Sequence, residues 1–166
     1  MRIDISEVRK QRNKPFGFHF CEQFTEELPD NTAYAGPVSV EVTLRSDSSG
    51  LTGRLRMSVP MRYRCSRCLS EFEQELSRDW EVKLLEREPG DEAEQAEDWL
   101  LITDDHIDLR DTIREAVILA VPFRPLCSPD CRGICPGCGA ELNREHCHCQ
   151  GEDTDPRWEK LKQLKV

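Results

Sequence analysis

The sequence predicts an α+β fold: an antiparallel β-sheet or partly closed barrel, one packed helix and a cysteine-rich C-terminal module. Three observations predict it. Apolar residues alternate along residues 38–84, a helical apolar face runs through 108–121, and six of the nine cysteines crowd into residues 127–149. The expected division is a sheet domain over 1–122, with an acidic loop (86–98) and a helix (108–121), then a cysteine module and short helix over 123–166.

The first elements are weakly patterned. Ile3, Ile5 and Val8 suggest a short strand over 2–8, and Arg9, Lys10, Arg12 and Lys14 read as a solvated basic run. Phe16, Phe18 and Phe20 alternate as in a strand, with Cys21 expected in the core. From Pro37 the signal sharpens. Val38, Val40, Val42 and Leu44 alternate with polar residues, and Asp47-Ser48-Ser49-Gly50 marks a turn.

A long hairpin follows. Leu51, Leu55, Met57, Val59, Met61 and Tyr63 are odd-numbered, with arginines at 54, 56, 62 and 64 between them. Beyond Cys65-Ser66-Arg67-Cys68 the parity inverts: Phe72, Leu76, Trp80, Val82 and Leu84 are even, and the acidic residues odd. Folding back at Ser66-Arg67, with Cys65 facing Cys68, sets Met61 opposite Phe72, Met57 opposite Leu76, Arg62 opposite Glu71 and Arg54 opposite Asp79. The arginine row could grip phosphates, but facing carboxylates make surface ion pairing the expected use.

Residues 86–115 carry twelve acidic residues against three arginines, a net −9 equal to that of the whole chain. Within them, 87–98 reads as a mobile acidic loop and Trp99–Ile102 as a short buried strand. Asp108 is a fitting N-cap and Pro122 a stop for a helix bearing Leu109, Ile113, Ala116, Val117 and Ala120 on one face. Asp155-Pro156 opens the last helix, docked through Trp158.

The cysteines carry the chemistry. No run approaches the roughly 18 apolar residues of a membrane span, and Met-Arg-Ile-Asp-Ile-Ser lacks a secretory signal's apolar core. A cytoplasmic placement is therefore expected, where clustered thiols stay reduced and bind metal. Cys135, Cys138, Cys147 and Cys149 could close one four-thiolate zinc site, with Pro136, Gly137 and Gly139 allowing the tight turn. Cys127 and Cys131 with Cys65 and Cys68 could close a second, clamping the hairpin tip to the segment after the helix. His146 or His148 replacing a thiolate, an iron–sulfur cluster, and a thiol-redox or metal-handling role for Cys65 and Cys68 are the competing readings. Two zinc ions with four cysteines each leave no open position for catalysis. The chain also lacks phosphate-loop, nucleophile-elbow and His-Glu-x-x-His motifs. A non-enzymatic binding protein without a small-molecule substrate is expected.

The chain resembles the YceD family. The likeness rests on Cys-Ser-Arg-Cys-Leu at 65–69, Ile-Asp-Leu-Arg-Asp at 107–111 and Glu115 to Leu119-Ala-Val-Pro122. It continues through Cys127 to Asn143 with Cys131-Arg-Gly-Ile-Cys135-Pro-Gly-Cys138, then Cys147-His-Cys149 and Asp155-Pro-Arg157. The resemblance implies a part in ribosome biogenesis, in the accumulation of large-subunit ribosomal RNA. Some members share the hairpin but lack the later cysteines, which points to the hairpin as the shared functional element. RNA or a ribosomal protein is the expected partner, with Arg67, Arg132, Arg144, Lys160, Lys162 and Lys165 as candidate contacts.

Overall fold

The computed structural model describes residues 1–26, 28, 32–48, 50–87 and 98–149. The element order is β1 (Arg2–Asp4), α1 (Ser6–Lys10), β2 (Phe16–Glu22), β3 (Ala33–Tyr34), β4 (Val38–Asp47), β5 (Gly50–Arg64), β6 (Glu71–Leu85), β7 (Trp99–Leu101), β8 (His106–Asp108) and α2 (Arg110–Ala120). Residues 88–97 of the acidic loop, and the C-terminal helix expected from Asp155, lie outside the described residues.

The sheet follows the path β2-β4-β5-β6-β7, with β3 pairing β5 beyond the end of β4. Its described strands form an open path, so the barrel alternative is not realised. All pairings are antiparallel except β7, which runs parallel to β6 with Leu84 beside Leu100. A separate ladder joins β1 to β8. Asp104 and Asp105 both adopt positive φ, at 49° and 58°, in the turn closed between Thr103 and His106. That turn was hard to foresee, because it uses two aspartates where glycine or asparagine is the usual signal.

Period-two patterning sets the core. Val38, Val40, Val42 and Leu44 of β4 and Leu55, Met57, Val59, Met61 and Tyr63 of β5 are buried on one face. Ile3, Val8, Ile107, Ile113, Ala116 and Val117 complete the same cluster from β1, α1, β8 and α2, with Ile5 and Leu109 from the joints between them. Each buried valine, leucine, isoleucine or methionine side chain among them contributes about 1.5–3 kcal/mol. Gly53 is buried in β5 between the side chains of the two neighbouring strands. A Cβ there would meet the Leu44 and Val82 side chains at 3.0 and 3.1 Å.

Several expectations are corrected. Residues 2–8 form one strand and the start of a helix, because Ser6–Lys10 turns to bury Val8. Cys21 is exposed, since the core side of β2 belongs to Phe16, Phe18 and Phe20. In β7 only Leu100 is buried; Trp99 and Leu101 lie on the outer face, 38% and 39% exposed. Asp108 accepts the Arg110 N–H at 3.0 Å, but the N-cap position itself falls on Leu109.

The hairpin register also differs by two residues from the expected one. Tyr63 pairs with Phe72, Val59 with Leu76, Arg62 with Glu73 and Arg64 with Glu71. The closing segment is longer than a turn at Ser66-Arg67. The Cys65 N–H donates to the Ser70 carbonyl at 2.9 Å, and the Leu69 N–H donates to the Cys65 carbonyl at 3.0 Å. Leu69 adopts φ 62° to complete this loop. Three arginines of the row form ion pairs, Arg54 and Arg56 with Asp79 and Arg62 with Glu73, and Arg64 Nε donates to the Leu69 carbonyl at 3.2 Å.

Candidate metal centres

The loop at the hairpin tip turns the Cys65 and Cys68 thiols to the same side, where Cys127 and Cys131 meet them. All four sulfurs lie within 4.8 Å of one another. The Cys65–Cys131 and Cys68–Cys127 Sγ separations are 3.7 and 3.6 Å. Cys135, Cys138, Cys147 and Cys149 form a second quartet within the same limit. Its separations include 3.3 Å for Cys135–Cys147 and 3.8 Å for both Cys135–Cys149 and Cys138–Cys147.

These spacings discriminate between chemistries. A disulfide would bring two sulfurs to about 2.05 Å, and all nine cysteines are free thiols. A tetrahedron with metal–sulfur bonds of about 2.3 Å has sulfur–sulfur edges of about 3.8 Å. Most of the observed separations fall at that edge length, so each quartet could hold one metal ion. Four converging thiols cannot all ionise side by side without a cation. Burial pushes the Cys65 thiol up, but the N–H groups of Cys68, Cys127 and Arg67 outweigh it and leave it lowered to about 6. Cys127, hydrogen-bonded to Cys68 and desolvated, is pushed up to about 12. The second quartet repeats this split. The Cys138 N–H, with help from the Cys147 thiol and the Gly137 N–H, lowers Cys135 to about 6, whereas hydrogen bonding to Cys138 drives Cys149 to about 12. A bound divalent cation would remove this competition by holding all four as thiolates.

The backbone around each centre fits the same purpose. A Cβ on Gly137 would stand 3.1 Å from Cys149 Sγ, and Gly139 adopts φ 76°. The Cys149 N–H donates to Cys147 Sγ at 3.3 Å, as backbone amides do around thiolate ligands. At the first centre the Arg67 N–H reaches Cys65 Sγ at 3.5 Å, and Asn143 Nδ2 donates to Cys131 Sγ at 3.3 Å, the main influence lowering the Cys131 thiol. Neither His146 nor His148 joins the second quartet.

The clamp between hairpin and tail has direct contacts besides its sulfurs. The Ser66 N–H donates to the Pro125 carbonyl at 2.8 Å. Arg67 Nη1 donates to the Cys131 carbonyl at 2.8 Å. Gly133, at φ 77°, passes so close to the tip that a Cβ would lie 3.2 Å from the Arg67 carbonyl oxygen. Cys65, Cys68 and Cys131 are buried as a small cluster flanked by Phe72 and Leu126.

Among the expected partner contacts, Arg67 is tied to the clamp in this way. Arg144 Nε lies 3.5 Å from Glu141, and Arg132 is exposed. Lys160, Lys162 and Lys165 fall outside the described residues. Three features escaped the sequence reading. Asn143 contacts a sulfur, Gly133 forms the seat for the tip, and Leu119 in the last turn of α2 and Phe123 just beyond it are exposed at 77% and 85%. The Cys131-Arg-Gly-Ile-Cys135 spacing signalled the second, since a glycine between two ligands often permits a left-handed turn.

These observations define a class: an open β-sheet protein whose longest hairpin ends in one of two cysteine quartets. Within it, the chain belongs to the YceD family. The family model, described as large ribosomal RNA subunit accumulation protein YceD, matches residues 53–165. An uncharacterized protein of Mycobacterium tuberculosis is 33% identical over 132 residues, covering 76% of this chain and 61% of its own length. An uncharacterized protein of Mycobacterium leprae is 27% identical over 129 residues, covering 77% and 59%. The Arabidopsis thaliana protein named large ribosomal RNA subunit accumulation protein YCED homolog 1, chloroplastic, is 26% identical over 187 residues, covering 96% and 57%. The chain thus spans about three fifths of the length of these relatives. No solved structure matches it. No helix among the described residues is long and apolar enough to cross a membrane.

Proposed function

We propose that this protein is a non-enzymatic, cytoplasmic factor supporting the accumulation of large-subunit ribosomal RNA. Each cysteine quartet holds a zinc ion that fixes a binding surface. The observation that carries this reading is the closure of both quartets: four sulfurs within 4.8 Å supply a full tetrahedral shell and leave no protein-free position for substrate. When bound, zinc would supply cross-linking rather than Lewis-acid chemistry. The residues that hold it are Cys65, Cys68, Cys127 and Cys131 in one centre and Cys135, Cys138, Cys147 and Cys149 in the other. The chain divides near residue 122 into the sheet domain and the zinc module.

RNA is the favoured partner. Exposed Phe123 lies under the Arg124 guanidinium, 6.0 Å from ring centroid to Cζ, in the segment that carries Pro125 to the hairpin tip. An exposed ring beside a cation is the pairing that stacks on unpaired bases. Arg132, Arg144 and the lysines at 160, 162 and 165 would add phosphate contacts. A redox role for Cys65 and Cys68 is disfavoured by their burial, at 0% and 7% exposure.

The test pairs elemental analysis with RNA binding. Wild type should carry two zinc ions and Cys65→Ser/Cys68→Ser one. Affinity for large-subunit ribosomal RNA should fall steeply with salt and drop further in Phe123→Ala. Binding to a ribosomal protein but not to RNA would replace RNA with that partner. Two readily alkylated thiols in metal-loaded protein would sink the scaffold reading.

A further inference from the structure

The two quartets are separate in their ligands but not in their surroundings. Asn143 belongs to the loop of the second quartet, between Cys138 and Cys147, yet its side chain lies against the first. Its Oδ1 accepts the Arg132 N–H at 2.8 Å, and its Nδ2 donates to Cys131 Sγ at 3.3 Å. The backbone donor fixes which end of the amide is oxygen, so the nitrogen must face the sulfur. The rest of the loop is laced to the same stretch. The Leu142 N–H donates to the Gly133 carbonyl at 3.0 Å, Ile134 bridges Glu141, and the Cys135 N–H donates to the Ala140 carbonyl at 2.8 Å. From the other side, the hairpin tip rests on Gly133. Residues 132–134 are therefore gripped by elements of both centres.

We propose that the two metal centres load as a coupled pair, with Asn143 as the positioning residue that transmits the coupling. This rests on the reading that both quartets bind zinc. Filling the second centre pins the loop between Cys138 and Cys147, which presents Asn143 to the Cys131 sulfur. An N–H donor to a thiolate spreads its charge and holds the ligand in place, and such outer contacts are worth about 10–100-fold in metal affinity. Asn143 is itself exposed, so the lower end of that range applies. Coupling must be mutual: the first centre strengthens the second by the same factor.

The experiment is a double-mutant cycle on the full chain. Zinc affinity of the first centre is read by competition with a chromophoric chelator, and ion number by native mass spectrometry. Asn143→Leu should retain two ions while the first centre binds about tenfold more weakly. Cys138→Ser/Cys147→Ser should retain one ion, also about tenfold more weakly held. The triple variant should be no weaker than either, because both changes remove the same contact. Asn143→Asp keeps an acceptor for Arg132 but turns a carboxylate oxygen toward the sulfur, and should weaken the centre further. An Asn143→Leu affinity within twofold of wild type would overturn the coupling, as would independent losses that multiply in the triple variant. Wild type that binds no zinc would overturn the metal reading and the coupling together, whereas two ions with a silent Asn143 would overturn the coupling alone.

Discussion

Replacing Gly133 with alanine should loosen the clamp between hairpin and tail. Two penalties meet at this residue. Its φ of 77° lies in the left-handed region, where an L side chain costs roughly 1–2 kcal/mol. The new Cβ would also stand 3.2 Å from the Arg67 carbonyl oxygen and 3.5 Å from Arg67 Cβ, so the tip must retreat by a few tenths of an ångström. Because the neighbour on the closest side is backbone, it has little freedom to yield. With 1.4 kcal/mol for each factor of ten, the first penalty alone weakens zinc binding at Cys65, Cys68, Cys127 and Cys131 by about 5–30-fold. The assay is chelator competition on the purified chain, with circular dichroism confirming an intact sheet. Gly17→Ala is the control: Gly17 lies in β2 with no positive φ and nothing within 4 Å of a new Cβ, so it should leave metal affinity unchanged. If Gly133→Ala binds zinc as tightly as wild type, the tip is not seated on this residue.

Metal removal should act locally. Chelation should speed tryptic cleavage at the exposed Arg132 and Arg144 by ~10-fold or more, with the sheet signal retained, because the large core cluster contains no cysteine. The Arg54 guanidinium holds the Asp79 carboxyl below its usual range, with Arg56 assisting. Its stabilisation is complete above the ordinary carboxylate pKa and fades as pH falls through the lowered one. Arg54→Gln should therefore raise the Asp79 pKa in a carbon-detected NMR titration, and Arg62→Gln should not; the reverse result would sink the Arg54–Asp79 ion pair. Phe72 packs against both the sheet core and the cysteine cluster. Phe72→Ala should lower Tm and weaken the first centre together, at a cost of about 2 kcal/mol for a half-buried ring. Leu76→Ala, two same-face positions further along β6 and outside the cysteine cluster, should lower Tm and leave zinc affinity intact.

The hairpin was legible because burial of one face imposes period two, and nothing else in the chain alternates over so long a stretch. Its register was not. A shift of two residues leaves every side chain on its own face, so the apolar pattern cannot tell the two alignments apart. Charge should have decided, but arginine is long enough to reach a diagonal neighbour. Arg54 bonds Asp79 at 2.9 Å although its backbone partner is Glu81. What settles the register is the loop, whose six residues from Cys65 to Ser70 need Leu69 at φ 62°. No glycine announces that turn. The convergence of Cys65 and Cys68 with Cys127 and Cys131 could be proposed from numbers and spacing alone. The contacts of Asn143 could not, since an asparagine between ligands reads first as a turn residue.

The position of Phe72 gives the two cysteine quartets different standing in the fold. The first is built on the end of β5 and β6, the longest paired strands in the sheet. Cys65 continues the buried row of Leu55, Met57, Val59, Met61 and Tyr63, and is itself wholly buried. Tyr63 and Phe72 pack their rings 5.6 Å apart immediately beneath it. Thiols held this way are positioned by the sheet before any ion arrives, so little ordering entropy remains for binding. Among the described residues the second quartet has no such floor: Cys138, Cys147 and Cys149 are exposed, and its backbone hydrogen bonds to the preceding stretch run through residues 133–135. It must gain its order from the ion and from the neighbouring centre. The expected hierarchy is therefore a first centre that holds its ion more tightly than the second, while loss of either centre weakens the other by the same factor.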